Sequence, residues 1–167
     1  MNVLNILNSG DVVRFHSVPR VDKQKNSEHQ WGVALIVAAI KPDCSKELLL
    51  TALTHDSAEI VTGDIPFTFK KMYPVIKSIL KIGESSFERE NEIDFTLSQE
   101  EESVLKIADT LEGMNYCLNQ VELGHIKAWE PYGRWKEVYC NTFRNANLKA
   151  DIIFNSILDR EESIRGS

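Results

Sequence analysis

Apolar residues recur at helical spacing along almost the whole chain, and no stretch alternates polar with apolar between turn signals. Stripes of that period are buried by laying helix against helix, so the expected class is all-α, formed as one domain over residues 1–167. Start and stop signals divide it. Ser27 and Gln30 form a capping-box pattern for a helix running to about Ile40, where Lys41-Pro42-Asp43 breaks it. Ser45 caps the next helix, whose buried face is Leu48, Leu49, Ala52 and Leu53. Pro74 opens another, with an apolar stripe of Val75, Ile76, Ile79, Leu80 and Ile82. Ser98-Gln99-Glu100-Glu101 is a second capping box and starts a long helix to about Leu123. Pro131 and Gly133 predict a break over residues 129–134, before two last helices over about residues 135–143 and 147–164. Trp31 is expected in the core or a pocket wall, and Trp129 and Trp135 in an oligomer contact.

The chemistry concentrates in Leu53-Thr54-His55-Asp56-Ser57-Ala58-Glu59. A neutral imidazole and a carboxylate on adjacent residues can share one divalent cation, and Glu59, one helical turn on, is close enough to handle a water there. His29 and Asp109 complete an ordered H…HD…D set of four ligands, of a hardness suited to Mn, Fe, Co or Zn. By itself the His-Asp pair reads more readily as a hydrogen-bonded structural pair. The coincidence decides against that: His29, Asp56, Glu59, Asp64 and Asp109 all fall in or beside apolar stretches, where an unpaired charge is expensive, and a shared cation explains them together.

A net charge of −6 and a pI near 5.3 leave no basic face for duplex DNA or RNA, whereas a small anion can still be held in a pocket dominated by a cation. Three widely spaced cysteines without a C-x-x-C pair suggest neither a disulfide framework nor a zinc knuckle and fit a reducing cytosol. The longest apolar run, from Val33 to Ile40, is too short to span a bilayer, and residues 1–10 carry no leader pattern, so a cytoplasmic protein without a membrane partner is expected.

Arg14-Phe15, Ser27-Glu28-His29, His55-Asp56-x-x-Glu59, Thr62-Gly63-Asp64-Ile65-Pro66, Lys70 and Lys106-x-x-Asp109 together resemble the HD-domain phosphohydrolase superfamily. Within it the chain is similar to the YfbR-like 5′-deoxynucleotidase branch and the related phage dATP triphosphohydrolases, from Gly10 to about Asn115. The resemblance implies an all-α HD-domain bundle and a catalytic transition metal (Zn, Co or Mn) on His29, His55, Asp56 and Asp109. It further implies that Glu59 orients or deprotonates the attacking water. Asp64 reads as an N-cap or as an active-site residue that, with Glu59, holds a second divalent ion such as Mg. Arg14, Lys70 and Lys106 become phosphate-gripping candidates. Phe15, where the 5′-deoxynucleotidase pattern has Trp, joins Ser17 and Thr68 as a base or sugar pocket, with His16 beside them.

The function implied is hydrolysis of dATP to deoxyadenosine and triphosphate by a phage-type homo-oligomer, a dimer or hexamer, in the host cytoplasm. A 5′-deoxynucleotidase acting on deoxynucleoside monophosphates is the alternative. A catalytically silent nucleotide-binding domain is a third, and it is disfavoured because no ligand and no catalytic Glu is missing.

Overall fold

The computed structural model describes residues 1–15 and 20–166, without the side chains of Phe67 and Thr68. The helices are α1 (Val3–Ser9), α2 (Asn26–Ile40), α3 (Lys46–Thr54), α4 (Glu59–Thr62), α5 (Phe67–Met72), α6 (Pro74–Glu90), α7 (Gln99–Glu122), α8 (Trp129–Val138) and α9 (Leu148–Gly166). Among the described residues there is no strand, only an isolated antiparallel bridge between Val13 and Lys25 that lays the Arg14 segment beside the start of α2. The class is all-α, as the apolar period predicts.

α7 is the central post and packs against α2, α3, α8 and α9. Its start is fixed locally: the Ser98 hydroxyl accepts the Glu101 N–H at 3.3 Å and the Glu101 carboxylate accepts the Ser98 N–H at 3.0 Å. Val104, Ile107, Ala108, Leu111, Met114, Cys117 and Leu118 then form one buried stripe, which meets Val33 and Val37 of α2, Leu48 and Ala52 of α3, and Phe154 of α9. Tyr139 stacks on Phe154 with ring centroids 4.2 Å apart and closes the far end.

Several expectations change. α2 is capped two residues before Ser27: the Glu28 carboxylate accepts the Lys25 N–H at 2.8 Å, while the Ser27 hydroxyl donates to the Gly10 carbonyl. Residues 129–134 are helical, because Pro131 lies in the first turn of α8, where N–H groups have no intrahelical partner to lose. Past α8 the chain widens into a π-helical turn over Tyr139–Phe143. Leu48 and Ala52 of α3 are buried, but Leu49 and Leu53 face outward. On α6 the stripe Val75, Ile79 and Ile82 is exposed, and Phe87 is the buried residue among those described on that helix. Trp31 is 65% exposed, not core, whereas Trp129 and Trp135 pack partly buried against the core.

Candidate metal centre

Three helices meet at the site. α2 supplies the fully buried His29, α7 supplies Asp109, and Ser45, whose hydroxyl accepts the Leu48 N–H at 3.0 Å, starts the helix that ends at His55. His55 is the residue after the last turn of α3, and Asp56 follows in the tight turns leading to α4. From His29 Nε2 the distances are 3.3 Å to His55 Nε2, 3.2 Å to an Asp109 carboxylate oxygen and 3.5 Å to an Asp56 carboxylate oxygen. Asp56 lies 3.6 Å from His55 Nε2. Ligand atoms of His29, His55 and Asp109 all lie within 4.8 Å of one another, a set able to hold a metal ion. Acceptor atoms 3.2–3.6 Å apart are close enough for one cation to touch several of them at once.

The protons argue the same way. His55 Nδ1 faces the Ala52 carbonyl at 2.9 Å, an acceptor only, so Nδ1 carries the proton and Nε2 presents a lone pair. His29 Nδ1–H donates to the Glu112 carboxylate, which turns its Nε2 lone pair to the same point. The His29 and His55 lone pairs and an Asp109 oxygen meet at one spot, with an Asp56 oxygen beside them, and that spot calls for positive charge. Burial opposes charge on His29, but its bonds to Asp109 and Glu112 outweigh that and push its pKa up to about 9. Burial likewise opposes the Asp56 and Asp109 anions, yet both are held below the ordinary carboxylate range, Asp56 by His55 and Arg14 and Asp109 by its bond to His29. Arg14 answers the Asp56 charge and a single proton on His29 answers part of the rest; a divalent cation answers it on His29, His55 and Asp109 together, with Asp56 beside them.

Glu59, 8% exposed, is the first residue of α4. The amide of the fully buried Asn26 donates to its carboxylate at 3.1 Å and to the Asp56 carbonyl at 3.0 Å, tying Glu59 to the His55-Asp56 turn. Burial and the nearby Asp56 charge push the Glu59 pKa up to about 7. Gly63, at φ 71, releases the chain from α4 with a backbone shape that other residues adopt only with strain. Asp64 does not cap α5; its carboxylate accepts the Phe15 N–H and pins the Arg14 turn. Arg14 donates to Asp56, and its Nε is buried without an acceptor among the described residues. Phe15 stacks on Tyr116 with centroids 5.1 Å apart.

A cavity of about 170 Å³ opens on His55, Asp56, Ala58 and Glu59, with Lys70, Glu84 and Glu88 opposite. Lys106 does not line it; its ammonium is exposed and lies 3.8 Å from Glu102. His16 and Ser17 lie outside the described residues, as does the Thr68 side chain. Sequence reasoning missed Asn26, Glu112, Glu84 and Glu88. Asn26 and Glu112 left a signal, polar residues adjoining the His29 and Asp109 motifs in apolar surroundings; Glu84 and Glu88 look like any solvated helix face.

Comparison with known proteins agrees with this architecture. A cyanophage S-2L HD phosphohydrolase (DatZ), described as bound to dA and one catalytic Zn2+, superposes with a TM-score of 0.71 over 100% of this chain and 98% of its own, at 20% identity. An HD-domain phosphohydrolase from Listeria innocua gives 0.61 over 99% of this chain and 87% of its own, at 17% identity. A 5′-deoxynucleotidase of Vibrio atlanticus (strain LGP32) is 27% identical over 138 residues, 68% of this chain and 71% of that protein. The fold is therefore that of an HD-domain phosphohydrolase. The family model described as 5′-deoxynucleotidase YfbR-like matches residues 8–156, nearly the whole bundle, and the chain belongs to that YfbR-like family.

Proposed function

We propose that the chain is a divalent-metal-dependent phosphohydrolase of deoxynucleotides that cleaves the bond between the 5′-oxygen and the α-phosphorus, with dATP as its substrate and deoxyadenosine and triphosphate as its products. The observation that carries the reading is the meeting of ligand atoms of His29, His55 and Asp109, with Asp56 beside the two histidines, next to a carboxyl with a pKa of about 7, Glu59. A bound Zn, Co or Mn ion would supply Lewis-acid polarisation of a phosphoryl oxygen and a more acidic water.

The chain's own groups account for the rest. Glu59, oriented by Asn26, takes the proton of the attacking water, a task that suits a pKa near the working pH. A P–O bond forms, the bond to the 5′-oxygen breaks, and the leaving 5′-oxygen is protonated. Arg14, which donates to Asp56, and Lys70, on the cavity wall, attract phosphoryl oxygens; Lys106, one turn before Asp109, is the outlying member of that trio. Asp64 holds the Arg14-Phe15 turn in place and, with Glu59, is the candidate for a second ion such as Mg. The cavity is smaller than the roughly 300 Å³ at which small-molecule pockets begin, so base and sugar extend past it; Phe15, Ser17 and Thr68 remain the residues proposed for them from the sequence.

Deoxyadenosine as the product accords with the dA in the description of the cyanophage protein, and triphosphate as the leaving chain rests on the sequence motifs that resemble the phage dATP triphosphohydrolases. The family description and the Vibrio relative favour a second reading, hydrolysis of deoxynucleoside monophosphates. Incubation with each dNTP, NTP and dNMP plus Mn, Co, Zn or Mg, with products identified by mass, separates them: dATP turned over fastest supports the first, dAMP the second, and binding without turnover a silent domain. Equal rates on dATP and dGTP would remove base selection alone. Replacing Lys70 by Ala should weaken a triphosphate more than a monophosphate, by the roughly 1.5–3 kcal/mol of one charge-assisted contact. Equal losses on dATP and dAMP would assign Lys70 to the α-phosphate or the fold. The exposed stripe Val75, Ile79 and Ile82 supports a homo-oligomer, which sedimentation equilibrium would contradict by finding a monomer at micromolar concentration.

A further inference from the structure

Glu112 lies one turn after Asp109 on α7, 7% exposed, in the apolar stripe that builds the core. A buried carboxylate there is costly unless both oxygens are used, and both are. One accepts from His29 Nδ1, and the other accepts the Gln24 amide at 2.6 Å. Gln24 is itself 5% exposed and leads into α2. On the facing turn of α2, a Cβ at Gly32 would lie 2.9 Å from Glu112 Cγ, so the bare backbone at that position is what admits the Glu112 stem. α7 thus touches both nitrogens of one imidazole: Asp109 at Nε2, Glu112 at Nδ1.

We propose that Glu112 is the positioning residue of the metal centre: its carboxylate holds His29 in the tautomer and ring orientation that turn the Nε2 lone pair toward His55 and Asp109, and Gln24 and Gly32 hold Glu112. The added negative charge makes the imidazole a stronger donor to a cation, the role such outer carboxylates have behind metal-bound histidines. Glu112 is buried and does not line the cavity beside His55 and Glu59, so its role is positioning. The inference rests on the metal-centre reading and not on which nucleotide is cleaved.

The test is a zinc titration of the wild-type protein and Glu112→Gln against a competing chromophoric chelator. Gln keeps the shape and an acceptor oxygen but not the charge, and the zinc Kd is expected to rise about 10- to 100-fold. A merely structural Glu112 would lower the thermal midpoint of the metal-free protein and leave the zinc Kd of the folded fraction unchanged, and that result overturns the proposal. Should Glu112→Gln not fold, nitrogen-15 spectra of the zinc-loaded wild type decide: His29 must carry its proton on Nδ1, strongly deshielded by the carboxylate, and an Nδ1 without a proton contradicts the assignment. A wild-type protein that binds no zinc overturns both the centre and the role of Glu112. One that binds zinc without turning over any nucleotide sinks the proposed reaction alone.

Discussion

Glu59→Ala is expected to lower kcat by at least roughly 100-fold, the usual scale of general acid–base catalysis, while the protein keeps its metal. The candidate metal ligands His29, His55, Asp56 and Asp109 are other residues, so the substitution leaves them in place. Asn26 loses one acceptor but retains the Asp56 carbonyl at 3.0 Å, so the His55-Asp56 turn stays tied to α2. What disappears is a carboxyl whose pKa burial and Asp56 have brought to about 7, where it can accept a proton from water and give it up again. Single-turnover rates with metal content measured on the same sample check this. Metal lost in step with activity would make Glu59 a ligand and not the base.

His55→Ala should remove both activity and metal. Its Nε2 is 3.3 Å from His29 Nε2 and 3.6 Å from Asp56, so deletion opens one corner of the set, and the zinc Kd should rise by more than the roughly 10- to 100-fold that losing an outer partner costs. His55 is a cleaner choice than Asp56. Removing Asp56 would leave the Arg14 guanidinium, whose side chain is 12% exposed, without its counter-ion, and the resulting loss of stability would obscure the metal effect. Wild-type zinc affinity in a folded His55→Ala protein would refute the proposed ligand set.

Most signals written in one turn of chain were legible in the sequence, although the Ser27 hydroxyl, expected to cap α2, bonds the Gly10 carbonyl and the cap falls at Lys25. Ser45 and Ser98 cap the helices they were expected to cap, and Lys41 ends α2, because those choices depend on neighbours two to four residues away. The bundle followed from apolar period alone. Pro131 misled because a proline three residues into a helix and one that breaks it look alike until the helix start is known. The α6 stripe misled for another reason: period tells that Val75, Ile79 and Ile82 share a face, not what the face meets. At the site, His29, His55, Asp56 and Asp109 could be chosen by residue type; the structure brings His29, His55 and Asp109 within 4.8 Å of one another, and Asp56 lies beside the two histidines, paired with Arg14. Lys106 stood equally close to a motif in sequence, yet its side chain leaves the site for solvent. Gln24 and Glu112 are far apart along the chain, and their bond exists only once α2 and α7 pack.

The most direct test of the account is hydrolysis of dATP by the zinc-loaded protein in water enriched in oxygen-18, with products resolved by mass. Attack on the α-phosphorus with loss of the 5′-oxygen predicts unlabelled deoxyadenosine and triphosphate carrying one oxygen-18. With dAMP the same bond cleavage would give deoxyadenosine and labelled phosphate. Formation of dAMP with pyrophosphate, or of dADP with phosphate, would contradict it.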